Sequence, residues 1–177
     1  MINNNIYIIL LNGYPRSGKD EFVNIASDNY TCYNHSTIDK VKDIAVQMGW
    51  SGIKDEESRI MLSELKKFYI KWFDGPFQDV LKKIADIKDM NHEKCILFIH
   101  CREPEEIERL KDYCNFDKSL NFFSILVKRP SHEIQDNKND SDNNINNFDY
   151  DYEIINNGPI YVYKEKVLKL IEDVLHK

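Results

Sequence analysis

The segment Gly13-Tyr14-Pro15-Arg16-Ser17-Gly18-Lys19-Asp20 places a glycine, four residues and then Gly-Lys between an apolar run, Ile6 to Leu11, and a helix-like pattern beginning at Lys19. This is the spacing of a phosphate-binding P-loop. A phosphate chain fits best into a concave run of backbone N–H groups, and only a glycine-rich turn lets the backbone come close enough. Gly13 and Gly18 supply that turn. The helix beginning at Lys19 aims its partial positive charge and unpaired N–H groups at the same anion, and Lys19 adds a point charge for the β and γ oxygens. The expected nucleotide cradle is Gly13, Ser17, Gly18, Lys19, Asp20 and Glu21, with Lys19 and Arg16 neutralising charge on a transferred phosphoryl group.

Position 20 departs from the general motif, which has a Ser or Thr there to meet Mg²⁺. Mg²⁺ accepts a carboxylate directly or through one of its waters, whereas without metal Asp20 would repel the phosphates beside it. Asp20 is therefore the candidate metal residue, and the motif implies ATP with Mg²⁺.

These residues need a sheet to position them, and the chain has the length for one. Its 177 residues suit one domain over 1–177, and 42% hydrophobic with 31% charged residues is a globular composition. A net charge of -6 argues against an extended nucleic-acid contact, which needs a basic face, but a local cationic cluster suffices for a small phosphorylated ligand. Cys32, Cys95, Cys101 and Cys114 show no C-x-x-C spacing and read as buried free thiols of a reducing compartment, with a zinc site of Cys101 with His100 or Cys114 as the weaker alternative. The N-terminus carries no signal-like segment and no run has the ~18 apolar residues of a membrane span, so a cytoplasmic protein without membrane contact is expected.

In chain order, Ile6 to Leu11 reads as a central parallel strand and Lys19 to about Ser27 as a helix. Thr31 to Asn34 reads as a second strand, followed by a helix through Val41, Ile44, Ala45 and Met48 that Ser36 or Thr37 could cap. From spacing alone Lys42 reads first as a solvated helix lysine, although this strand end faces the ligand-binding edge of an open α/β sheet. An acceptor-side helical insert occupies about 50–90. Its first helix, Glu56 to Phe73, carries one broad apolar face of Met61, Leu62, Leu65, Phe68, Tyr69 and Trp72. Arg59, Ser63 and Lys66 line another face, either as a wall for an anion or as exposed charges balancing Asp55, Glu56 and Glu64. After Asp74-Gly75-Pro76, Phe77, Val80, Leu81, Ile84 and Ile87 mark the next helix.

Cys95 to Ile99 is the expected neighbour of the first strand. It ends at His100-Cys101-Arg102, where Pro104 and the following glutamates suit a helix start. Arg102 thus stands on the binding edge as a phosphate ligand, while His100 occupies a place where many P-loop enzymes keep an acidic residue. Leu120 to Val127 forms another strand. Residues 131–149, rich in Asn, Asp and Ser, are too polar to pack and read as a mobile lid or a surface loop, the lid being favoured by its origin at the binding edge. Asp151 to Ile155 reads as the last strand, Asn156 to Pro159 as its turn, and Val167, Leu168, Ile171, Val174 and Leu175 as the buried stripe of a closing helix.

About five strands alternating with helices behind a P-loop predict a three-layer αβα domain with a parallel sheet. A GTPase-type switch would need Asn-Lys-x-Asp after a strand, and Asn137-Lys138-Asn139-Asp140 falls inside the polar segment instead. Motor and AAA-type ATPases need more chain and an acidic residue at the strand end.

Over nearly its whole length the chain resembles the nucleoside monophosphate kinase-like group of P-loop kinases. The resemblance rests on the Ser-Gly-Lys-Asp ending of the loop, Ser36-Thr37-Ile38-Asp39-Lys40-Val41-Lys42, the arginine of the acceptor-side helix, the strand leading to Arg102, and residues 151–158. The loop ending is shared by viral deoxynucleoside monophosphate kinases and animal-type phosphomevalonate kinases. The resemblance implies an ATP-dependent phosphotransferase for a small phosphorylated acceptor, foremost a nucleoside or deoxynucleoside monophosphate. Alternatives are a dephospho-CoA or phosphomevalonate-type kinase, or a nucleotide-binding regulator with little catalysis. It further implies acceptor binding by Ser36, Lys42, Arg59, Lys66 and Arg102, and an adenine site bordered by Arg129 and the Asn156 to Gly158 turn. The lid-like segment lacks the arginines such lids usually carry, so either Arg16 and Arg129 fill that role, or activity is low, or the acceptor is unusual.

Overall fold

The computed structural model describes residues 5–53, 55–90, 92–130 and 145–176. They form two compact units, Met1–Asn34 with Asn91–Lys177, and His35–Met90.

The first unit is built on β1 (Asn5–Asn12), an apolar strand that neighbours on both sides keep from water. β1 pairs in parallel with β3 (Lys94–His100), in the register Ile8↔Leu97, and with β4 (Leu120–Lys128), in the register Ile8↔Phe122. With β2 (Cys32–Ser36) and β5 (Tyr152–Ile155), which runs parallel to β4, the sheet order is β2-β3-β1-β4-β5. The expected strand beside the P-loop strand is therefore the observed one. β2 begins one residue later and ends two residues later than the predicted Thr31 to Asn34.

Alternation along β1 sends its side chains to two helical layers. On one face Tyr7, Ile9 and Leu11 join Phe22, Val23, Ile25 and Ala26 of α1 (Lys19–Ser27) and Val167, Ile171 and Val174 of the closing helix, Ile160–Leu175, in a single core. Ile6, Ile8 and Leu10 are equally buried on the other face, and α5 (Pro104–Phe116) packs against β4 through a helix whose Ile107, Leu110 and Cys114 are buried. Sheet and helices make the three-layer α/β fold the sequence predicts. All four cysteines are free, and among the described residues no group of three or more His, Cys, Asp or Glu side chains could hold a metal, which removes a zinc cluster around Cys101.

The second unit contains α2 (Asp39–Gln47), α3 (Glu56–Phe73) and α4 (Gly75–Asp89). Neither Ser36 nor Thr37 caps α2. Ile38 occupies the cap position without a side-chain bond, and the Asp39 carboxylate instead accepts the Ser36 N–H at 2.9 Å. α3 has the predicted bounds, with Asp55 accepting the Ser58 N–H as its N-cap. Its apolar face is less covered than its periodicity predicts. No residue of α3 is fully buried, and Phe68 and Trp72 are 54% and 64% exposed. α3 contacts α2 and α4, and its half-buried apolar residues are Leu62, Leu65, Tyr69 and Ile70. Among the described residues no helix is long and apolar enough to cross a membrane.

Residues 131–144 of the lid-like segment, with the Asn-Lys-Asn-Asp letters, lie outside the described residues. Its end corrects the expectation that 131–149 cannot pack. Ile145–Asn147 forms a 3-10 turn, Ile145 is fully buried and Phe148 nearly so, because two well-spaced apolar residues suffice to anchor one turn.

Candidate functional site

The loop between β1 and α1 owes its shape to three residues in the left-handed region: Gly13 at φ 146°, Arg16 at φ 63° and Gly18 at φ 107°. A Cβ on Gly13 would lie 2.3 Å from the Val127 carbonyl oxygen, so only glycine lets β1 end this close to β4. A Cβ on Gly18 would lie 2.5 Å from Nδ2 of Asn156. The Ser17 N–H closes a turn onto the Tyr14 carbonyl at 3.2 Å, and α1 starts at once, with Gly18 as its cap. A loop of this kind followed by a helix N-terminus is an anion cradle.

Lys19 folds back over the loop, its ammonium donating to the Gly13 carbonyl at 2.6 Å and the Tyr14 carbonyl at 2.9 Å. Arg16, Ser17, Gly18, Lys19, Asp20, Glu21 and Arg129 line one open cleft of about 330 Å³, together with Asn24. Small-molecule sites run from roughly 300 to 1,000 Å³. Three cations thus converge with two carboxylates on the cleft, which takes in the expected loop residues except Gly13, plus Arg129 beyond the end of β4. Asp20 is exposed in the first turn of α1, where a carboxylate can meet a hard cation carried by phosphates. Ser17 is buried, and its hydroxyl oxygen has no hydrogen-bond partner among the described residues.

The cradle is held from behind by residues far away in sequence. The Asn156 carboxamide donates to the Ser17 carbonyl at 3.0 Å, so its side chain serves the loop. Tyr163 donates to the Gly18 carbonyl. Asn12, buried at the end of β1, accepts the Gly13 N–H on Oδ1 at 2.8 Å and donates from Nδ2 to the Tyr150 hydroxyl at 2.7 Å. Sequence reasoning missed Asn12, Asn24, Tyr150 and Tyr163. One signal was present: Asn12 is the polar residue that closes an otherwise apolar strand.

Gly158 adjoins Val162 in the turn after β5. Arg102 follows β3 in the connection to α5, its N–H donating to the Glu103 carboxylate at 3.3 Å. Beside it, His100 Nε2 contacts the Asn34 carboxamide oxygen at 2.7 Å, at the strand end where many P-loop enzymes keep an acidic residue. In the second unit Lys66 is half-buried and donates to the Thr37 hydroxyl at 3.4 Å, next to Ser36. Lys42 lies 3.7 Å from the Asp39 carboxylate, and Arg59 is exposed near the start of α3.

Neither a family model nor a characterised protein sequence matches the chain. Solved structures do. The dephospho-CoA kinase from Campylobacter jejuni is 15% identical with a TM-score of 0.52, over 97% of this chain and 98% of that one. The APS kinase from Mycobacterium tuberculosis is 12% identical with a TM-score of 0.50, over 94% and 97%. The shikimate kinase from Aquifex aeolicus is 15% identical with a TM-score of 0.50, over 94% and 96%. The three-layer architecture on a five-stranded parallel sheet matches that of these kinases. At such low identity the likeness speaks for the architecture, and the chemistry has to be argued from the cradle.

Proposed function

We propose that this protein is an ATP- and Mg²⁺-dependent phosphotransferase for a small phosphorylated acceptor, foremost a nucleoside or deoxynucleoside monophosphate. The observation that carries the reading is the Lys19 ammonium resting on the carbonyls of its own glycine loop, at the mouth of a cleft that Arg16 and Arg129 also line. Phosphoryl transfer asks little covalent chemistry of a protein, so positioning and charge neutralisation supply most of the rate. The loop N–H groups and Lys19 bind the β and γ phosphates, and Arg16 neutralises charge on the transferred group. Ser36, Lys42, Arg59, Lys66 and Arg102 are assigned to the acceptor's phosphate, whose oxygen needs no general base. Arg129, Asn156 and Gly158 are assigned to the adenine side.

Mg²⁺ fits this donor set as an ion shared with the nucleotide. Asp20 offers one hard oxygen ligand, and phosphate oxygens and water complete the shell that Mg²⁺ prefers. When bound, the ion neutralises phosphate charge.

The test is ADP release from ATP·Mg²⁺ with each common nucleoside and deoxynucleoside monophosphate, and with dephospho-CoA and phosphomevalonate. Stimulation by one acceptor, lost without metal, supports the reading and names the substrate. A second reading, a nucleotide-binding regulator, draws on the histidine, His100, that stands at the strand end in place of an acidic residue. Tight ATP binding with no stimulation by any acceptor would favour it.

A further inference from the structure

Asn12 and Tyr150 form a hydrogen-bonded line that ends on the phosphate loop. The Tyr150 hydroxyl donates to the Ile145 carbonyl at 2.9 Å and accepts from Asn12 Nδ2 at 2.7 Å, and Asn12 Oδ1 accepts the Gly13 N–H at 2.8 Å. Gly13 in turn offers its carbonyl to Lys19 at 2.6 Å. Each polar atom in this line has one role that fits. A backbone N–H must donate to the carboxamide oxygen, which turns the NH₂ toward the phenol, and the phenol is left to donate to the Ile145 carbonyl.

We infer that Tyr150 and Asn12 are positioning residues: they fix the Asn12–Gly13 peptide, from which the Gly13 carbonyl under the phosphate-binding Lys19 is set. Three observations bear on this. Asn12 is 1% exposed, so water cannot replace the phenol as a partner for its carboxamide. The far end is fixed as well: Ile145 is fully buried, and the Phe148 ring meets Tyr150 edge-on at a centroid distance of 5.0 Å. Gly13 is at φ 146°, a conformation open to glycine but rarely to other residues, so the bond on its N–H adds a restraint at the hinge between the two peptides it joins. The line therefore converts the packing of residues 145–150 into loop geometry, and so into pre-organisation for an anion.

The ligand named here rests on the phosphotransferase reading, but the geometry does not, and one experiment separates them. Tyr150→Phe keeps the ring and removes the hydroxyl. Leu110→Ala, in the core on α5, serves as a variant that loses stability without touching the line. Amide exchange at Gly13 is measured against Leu10 of β1, and ADP·Mg²⁺ binding by calorimetry. In Tyr150→Phe, Gly13 exchange should rise about tenfold relative to Leu10 and ADP affinity fall about tenfold, with Leu110→Ala changing neither the ratio nor the affinity. If Tyr150→Phe leaves the Gly13-to-Leu10 ratio unchanged, or if the two variants behave alike, the inference is overturned. If the unaltered protein binds no adenine nucleotide, the phosphotransferase reading fails and the exchange ratio alone decides the line.

Discussion

Tyr163, in the first turn of the closing helix, donates its hydroxyl to the Gly18 carbonyl at 3.1 Å across 145 positions of sequence. The same carbonyl also accepts the Phe22 N–H at 2.9 Å, so one oxygen joins the loop, α1 and the last helix. Burial, and secondarily the nearby Glu21, push the Tyr163 phenol well above its ordinary range, which keeps it a donor at every physiological pH. Tyr163→Phe should cost about 1 kcal/mol in urea denaturation, the typical net worth of one hydrogen bond, and weaken ADP binding several-fold. An unchanged denaturation midpoint would show that the bond contributes nothing.

The two loop glycines differ in what crowds them, and their alanine variants should differ accordingly. At Gly13 the added methyl meets backbone, the Val127 carbonyl at 2.3 Å, whereas at Gly18 it meets the end of a side chain, Asn156 Nδ2 at 2.5 Å. Backbone cannot swing aside. Gly13→Ala should lose roughly 1–3 kcal/mol, the scale of an overpacked core, and Gly18→Ala less, while both abolish nucleotide binding. Thermal denaturation with and without ADP distinguishes the two effects, and equal stability losses would contradict the argument.

Lys19 carries charge to the loop, its ammonium donating to the Gly13 and Tyr14 carbonyls at the mouth of the cleft. Lys19→Met should therefore leave the far-ultraviolet spectrum and melting temperature nearly unchanged and lower kcat by at least about 100- to 1,000-fold, the scale of losing one pre-organised charge stabiliser. Phosphoryl transfer at an unaltered rate in Lys19→Met would sink the phosphotransferase assignment.

What the sequence made legible follows from how local each signal is. The P-loop could be read because its glycines, lysine and flanking strand and helix are neighbours in the chain. Phe22 with Ile25 and Ala26, or Val167 with Ile171 and Val174, likewise reveal their buried stripes by period alone. The supports of the loop could not be read, because Asn12 meets Tyr150 across 138 positions and Asn156 meets Ser17 across 139, separations that leave no periodic trace. Burial on α3 was misjudged for the opposite reason. Met61, Phe68 and Trp72 keep the helical period yet stay exposed, Phe68 meeting the rings of Trp72 and Phe73 on the same helix, so the pattern overstates the burial.

Gly75 is a glycine for reasons unrelated to phosphate. It starts α4 directly after Asp74, which sits at φ 50° between two helices, and a Cβ there would fall 2.1 Å from the Tyr69 ring. That ring is tied down by its hydroxyl, which donates to the Asp79 carboxylate at 3.1 Å. Gly75→Ala should destabilise the protein by about 1–3 kcal/mol. Tyr69→Leu in the same background should restore part of the loss, and a Gly75→Ala protein as stable as the parent would show that the ring can move.

His35 should make the protein sensitive to mild acid. Its Nε2 is buried with no hydrogen-bond partner among the described residues. Burial is the main cause that lowers its pKa below the ordinary 6.5; Lys83 acts in the same direction, while Asp39 and Asp79 oppose it. A histidine harder to protonate when folded means that the unfolded chain binds more protons as pH falls below about 6.5, so acid favours unfolding. The stability that neutral His35 contributes is present above that pH and is lost as pH falls toward the lowered folded value. Urea denaturation at pH 7.5 and pH 5.5 should show a smaller acid-induced loss in His35→Gln than in the parent, because the substitution removes the titrating group while the carboxylates titrate equally in both. If the two proteins lose the same stability over this interval, His35 is not the group that responds.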